Sequence, residues 1–283
     1  MRPEDYPRQE PFAERAAAYH AEVMRRGEGV AAEEHSYGPD PYQGIAVFRP
    51  ARPGGYVLAF LHGGGWTNGY KEWLAFMAPG LTAAGVTFAS VGYRLAPAHV
   101  FPAGFTDCAL AVAWLHRHAA GDFFIGGHSA GGHYAALLAV RRDWQAALGL
   151  PRDAIAGCLP ISGVYDFTPG CGLGIRPRFL GREGNERPAS PLHNIQGTPP
   201  PFLIAHGSAD FPHLITQAAK TQTALTAAGG DVERLVLEGC DHFTASYAAG
   251  DPAGPWLGHA LAWMEARATN RTQTIQRGRI PHA

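Results

Sequence analysis

The chain has 283 residues, 46% hydrophobic and 17% charged, with a formal net charge of −1. This is the composition of a folded globular chain long enough to bury a large core; it excludes disorder and gives no basic field for nucleic acid. Cys108, Cys158, Cys171 and Cys240 are scattered without a C-x-x-C pair, which excludes a disulfide scaffold or a zinc ribbon.

The start, "MRPEDYPRQEPFAERAAAYH", is polar and lacks the apolar centre of a secretory signal, so a cytoplasmic location is expected. No apolar run approaches the roughly 18–20 residues of a membrane span, so no membrane partner is expected. Residues 11–27 have amphipathic helical spacing that stops at Gly27. "YQGIAVFRP" (42–50) alternates as a strand closed by Pro50, and "GGYVLAFLH" (54–62) is a short apolar run bounded by glycines, suited to a buried strand. A helix is predicted over 72–85, a strand over 86–95 and a helix over 104–120 with Gly121 as its stop. Strand "DFFIGG", helix "AGGHYAALLAV", strand 155–165, strand 200–210, helix 212–228, strand 232–239 and a last helix near 255–268 follow. Apolar strands alternating with helices predict an α/β fold, a mostly parallel sheet covered on both faces. Residues 166–199 break this rhythm. They are rich in Gly, Pro and Arg, hold one short helical piece around Arg178, and read as a small cap-like insertion beyond a strand's carboxyl end. Residues 1–268 are thus one domain, and the polar tail 269–283 lacks periodicity.

Gly127-His128-Ser129-Ala130-Gly131 lies between strand and helix. A chain that turns from strand to helix through one residue holds that residue in a strained conformation and lifts its side chain above the sheet. Small neighbours are required because strand and helix almost touch, which is the G-x-S-x-G nucleophile elbow. A phosphate loop would need a lysine after Gly132, where His133-Tyr134 stands instead. "LHGGGW" (61–66) follows an earlier strand, and its glycines let backbone N–H groups turn inward as an oxyanion loop. Gly64 and Gly65, joined by Ala130 at the start of the helix, are the expected donors.

A serine nucleophile needs a base. His242, in a loop after the strand 232–239, is preferred among the fourteen histidines; His206 and His213 are weaker candidates, and His128 and His133 read as structural. The acid should fall between serine and histidine in chain order. Asp210, at the end of its strand, fits, with Asp166 as the runner-up; Asp241 adjoins the base, and Asp107 sits on a helix where capping or a buried hydrogen bond suits it better. Trp66, Tyr165, Phe167, Phe179 and Phe243 lie on loops where they can wall an aromatic leaving group, or pack in the core. No H-E-x-x-H occurs, and the carboxylates do not cluster as metal ligands.

Together "HGGGW", "YRLAPAHVFPA", "GHSAGGH", "HGSAD" and "CDHF" resemble the α/β-hydrolase fold, in its hormone-sensitive-lipase and arylformamidase branch, over residues 34–265. His128 stands where lipase-like members usually carry Asp, and "SYGPDPYQGIAVFRP", "ISGVYDFTP" and "SPLHNI" look more like kynurenine formamidase and its bacterial relatives. The resemblance implies a Ser-His-Asp triad that hydrolyses N-formylkynurenine, a related aryl formamide or an ester, with no metal or cofactor and with a homodimer as the family-level expectation. One departure is Gly65, where formamidases often carry a bulkier residue; HGGGW is also the carboxylesterase form. A non-catalytic ligand-binding protein on the same scaffold is the alternative of another class.

Overall fold

In the computed structural model, the described residues are 1–173 and 178–278, with side chains to 268. An eight-stranded sheet forms the centre, in the order β1-β2-β4-β3-β5-β6-β7-β8. Its strands are β1 (Glu33–Ser36), β2 (Gly44–Phe48), β3 (Tyr56–Leu61), β4 (Val86–Val91), β5 (Asp122–His128), β6 (Gly157–Ile161), β7 (Phe202–Gly207) and β8 (Val232–Leu237). β1 pairs with β2 and β2 with β4 antiparallel; every pairing from β4 through β3 to β8 is parallel. Strands β2 and β4 are buried along their whole length, as runs of apolar residues between two covering layers must be.

The helices are α1 (Glu14–Arg26), α2 (Ala78–Ala83), α3 (Ala103–His118), α4 (Ala130–Val140), α5 (Asp143–Ala147), α6 (Glu186–Ala189), α7 (Pro212–Ala227), α8 (His242–Ala248) and α9 (Pro255–Gly278). Helix α4 is wholly buried, which its Ala- and Leu-rich sequence permits on every face. None of the described helices is long and apolar enough to cross a membrane.

Several boundaries differ from the sequence reading for physical reasons. The helix predicted over 72–85 is a 3₁₀ segment, Lys71–Met77, followed by α2. Pro79 accounts for the break, since it has no N–H to give to the carbonyl four residues back and its ring crowds that carbonyl. Strand β1, "EEHS", has no apolar alternation to mark it; its charge suits a sheet edge, where it is largely exposed. His242 is not in a loop but opens α8. Asp241 caps that helix, its carboxylate accepting from Phe243 N and Thr244 N while Thr244 Oγ1 accepts from Asp241 N. Within the insertion 166–199, α6 and a 3₁₀ turn at Pro191–His193 are present. The helical piece expected around Arg178 falls partly on residues 174–177, outside the described residues. Beyond residue 268 the backbone continues helical to Gly278, and 279–283 lie outside the described residues.

Candidate active site

β5 delivers the chain to Ser129 and α4 takes it away at once. Ser129 has φ 54° and ψ −115°, an arrangement disfavoured for any residue with a Cβ. It is held by its own N–H, which donates to Ile161 O at 2.9 Å, and by its carbonyl, which accepts from His133 N. The flanking glycines are required by contact. A Cβ on Gly127 would lie 2.3 Å from Gly131 C, and one on Gly131 would lie 2.0 Å from Leu61 O. The motif is therefore a packing solution for a helix seated on two strand ends.

Ser129 Oγ lies 3.0 Å from His242 Nε2, and His242 Nδ1 lies 2.9 Å from Asp210 Oδ1. Asp210 follows β7, and His242 follows β8 after a four-residue turn, so adjacent parallel strands bring them to the same sheet end. Phe211 N donates to the same Asp210 oxygen at 2.7 Å. Burial would raise the Asp210 pKa, but the hydrogen bond and charge of His242 and the Phe211 amide outweigh it and hold the carboxyl at about 2. Ser162, buried at the end of β6 with φ 52°, adds its hydroxyl to the groups that lower Asp210 without forming a well-aligned hydrogen bond. An ionised Asp210 only accepts, so His242 Nδ1 carries the proton and Nε2 presents its lone pair to the Ser129 hydroxyl.

His128 braces this arrangement from behind: its Nε2–H donates to the carbonyl of His242 at 2.8 Å. The amides of Gly64, Gly65 and Ala130 form no hydrogen bond among the described residues, and Gly64 and Gly65 line the cleft with Ser129. A Cβ at Gly65 would meet nothing within 4 Å, so the glycine leaves room that a bulkier residue would take.

A cleft of about 450 Å³ opens over Ser129, His242, Gly64 and Gly65. Of the aromatic residues singled out from sequence, Phe179 and Phe243 line it. Trp66, Tyr165 and Phe167 do not; they are buried beneath. Trp66 stacks on Phe179 with centroids 4.3 Å apart, and its Nε1–H donates to His133 Nδ1 at 3.0 Å. His133 Nε2–H in turn donates to Ala189 O at 2.7 Å, tying the glycine loop that ends at Trp66 through α4 to the insertion. Four further aromatics complete the wall: Phe12, Tyr19, Trp73 and Phe211. Phe211 adjoins Asp210, a signal that was available in sequence, and is 40% exposed. Phe12 and Tyr19 had none, because they come from the N-terminal segment. That segment is strapped across the molecule by Gln9, whose amide bonds both Gly69 N and Gly69 O, and by Asn68 Nδ2 donating to Glu10 O. Arg178 stands at the cleft's edge in an ion pair with Glu10.

The other acidic candidates are occupied elsewhere. Asp166 faces His193 at 3.3 Å and accepts from Thr168, Asp107 holds Arg94 and Gln43, and Asp241 caps α8. His206 Nδ1–H donates to Gly207 O, and His213 packs on Phe211. Among the described residues no group of three or more His, Cys, Asp or Glu side chains could hold a metal ion.

Residues 58–171 match a protein family described as alpha/beta hydrolase fold. The structure of Pyrobaculum calidifontis esterase superposes with a TM-score of 0.70 over 90% of this chain and 91% of that one, at 19% identity. The chain has the α/β-hydrolase fold. Among curated proteins, esterase LipC of Mycobacterium tuberculosis is 32% identical over 242 residues, 73% of this chain and 58% of that protein. Kynurenine formamidase of Danio rerio is 26% identical over 219 residues, 74% of this chain and 73% of that one. The chain spans about half the length of the first curated relatives it matches.

This α/β-hydrolase site carries a stability cost in acid. His62, His128 and His133 are buried, and burial lowers their pKa to about 4, about 3 and about 3. In the unfolded chain each returns to about 6.5. Below that pH the unfolded state takes up protons that the folded state refuses, so stability falls as pH falls from about 6.5 towards 4. Unfolding at pH 5.5 is expected to take up between about two and three protons from this source, with stability dropping by about 5 kcal/mol between pH 7 and pH 5. Denaturant titrations at pH 7, 6 and 5 measure this; a pH-independent midpoint over that range contradicts it.

Proposed function

We propose that the protein is a metal-independent serine hydrolase that cleaves a small aryl formamide such as N-formylkynurenine and releases formate. The observation that carries the reading is the contact chain from Ser129 Oγ through His242 to Asp210, at 3.0 and 2.9 Å. As Ser129 Oγ attacks the formyl carbon, His242 Nε2 takes its proton, and Asp210 stabilises the imidazolium. The Gly64, Gly65 and Ala130 N–H groups hold the oxyanion. The tetrahedral species collapses by breaking the C–N bond, and His242 returns the proton to the departing arylamine. Water, deprotonated by His242, then attacks the formyl ester on Ser129; the C–O bond breaks, formate leaves, and Oγ recovers its proton.

The complete triad geometry argues against a non-catalytic ligand-binding role. The aromatic walls of the cleft suit an aryl leaving group, and Arg178, which lines it, suits the carboxylate of an amino-acid head. The second reading, a carboxylesterase for short-chain or aromatic esters, is favoured by the third glycine of the oxyanion loop and by the similarity to mycobacterial esterases. The deciding assay compares kcat/KM for N-formylkynurenine with that for p-nitrophenyl acetate. The formamide is expected to win; a strong preference for the ester transfers the protein to the carboxylesterases. In the same assay Arg178→Met is expected to raise KM for N-formylkynurenine about tenfold, the loss of one exposed charge-assisted contact, with little change toward the uncharged ester.

A further inference from the structure

A second cavity, of about 410 Å³, lies at the other end of the sheet. Ser129, Asp210 and His242 follow the carboxyl ends of β5, β7 and β8, whereas this cavity is built where β6, β7 and β8 begin. Ile155 precedes β6, Pro199 to Pro201 precede β7, and Asp231 precedes β8. A six-residue strand separates the two ends by on the order of 20 Å. None of the residues around this second cavity lines the first.

Three arginines from three separate parts of the chain converge on it: Arg142 between α4 and α5, Arg152 before β6, and Arg267 on α9. Two carboxylates, Asp153 and Asp231, line it as well. Asp231 is taken by Arg267 Nη2 at 2.9 Å, while Arg267 Nε is buried with no hydrogen-bond partner. The guanidinium of Arg142 donates to a neutral acceptor, the carbonyl of Thr198. Neither Arg142 nor Arg152 is paired with a carboxylate among the described residues. Gln145 supplies the independent observation: it lines the cavity, is only 3% exposed, and its Oε1 has no partner. A buried amide oxygen left without a donor costs about 1–3 kcal/mol, and a donor supplied by an occupant removes that cost.

We propose that this cavity is a binding site for a small organic polyanion, distinct from the hydrolytic cleft. Guanidinium groups recognise carboxylate and phosphate oxygens by paired N–H donors, and a concave wall of Ile155 and prolines lowers the local dielectric and strengthens that attraction. A turn of the Gln145 side chain brings its buried Oε1 into the cavity to accept a hydrogen bond from a hydroxyl of the same ligand. The ligand class is therefore a hydroxylated polycarboxylate or phosphate of a size to fit the cavity.

Isothermal titration calorimetry of the full chain at constant ionic strength, with citrate and with inorganic pyrophosphate as probes, tests this. Saturable 1:1 binding of at least one probe is expected. Arg152→Glu, at an exposed side chain, is expected to weaken it at least about tenfold, the loss of one charge-assisted contact, while circular dichroism and the unfolding midpoint verify the fold. Arg142→Ala serves as the second variant. If citrate binds, tricarballylate, which is citrate without its hydroxyl, is expected to bind more weakly to the wild type and equally to Gln145→Leu. The proposal is overturned if neither probe binds saturably, or if both arginine variants bind as tightly as the wild type.

Discussion

Ser129→Ala is expected to lower kcat toward both N-formylkynurenine and p-nitrophenyl acetate by about 10⁶-fold, leaving only what an oxyanion hole and binding supply without a nucleophile. Ser129 Oγ is the acceptor-facing end of the contact chain, 3.0 Å from His242 Nε2, and no other hydroxyl is so placed against that nitrogen among the described residues. The backbone reasons for the elbow lie in Gly127, Gly131 and the Ser129 amide, not in Oγ, so the variant should fold normally. A second readout separates chemistry from assay noise: a fluorophosphonate should add its phosphonyl mass to the wild-type chain at Ser129 and add nothing to the variant. Turnover in the variant above about one-thousandth of wild type, or labelling at another residue, removes the nucleophile assignment and the mechanism with it.

How much of this was legible in the sequence follows from what each feature depends on. The sharp turn at Ser129 and the glycine loop at 63–65 were legible because both are local: a serine between close-packed glycines, and three glycines after a strand, carry their reason within a few residues. Asp210 and His242 were legible through chain order combined with strand ends, since a parallel sheet sends every strand's carboxyl end to one side. The cleft walls were legible only in part. Trp66 and Phe167 sit on the expected loops, but their rings turn inward, where Trp66 satisfies His133 and stacks on Phe179. Phe12 and Tyr19 reach the cleft because Gln9 and Asn68 fasten the N-terminal segment beside the glycine loop, a contact across some sixty residues with no periodic trace. Charged β1 was hidden for the same reason that it serves as an edge. His128 and His133, read as structural, do hold backbone carbonyls, of His242 and Ala189, but their spacing could not say which.

Asp210→Asn is expected to cost about 10³- to 10⁴-fold in kcat near neutral pH while KM changes little. The carboxylate acts by accepting from His242 Nδ1–H; an amide in its place offers N–H groups toward that nitrogen, favours the tautomer with the proton on Nε2, and turns the base away from the Ser129 hydroxyl. The imidazolium formed on attack also loses its counter-charge. The pH dependence has a definite sign. With its pKa held at about 2, Asp210 stays ionised through the working range, so an acid limb in the wild-type activity profile above pH 4 does not report its protonation. A depressed carboxyl pKa adds stability above the unfolded value near 3.9, and that stability is lost as pH falls from about 4 to about 2. The Asn variant should lack this component, so its stability should decline less steeply over that interval. Asp166→Asn is the control, because Asp166 faces His193 and Thr168 rather than His242. A loss of activity in Asp166→Asn equal to that in Asp210→Asn would mean that the acid of the triad had been assigned to the wrong strand end.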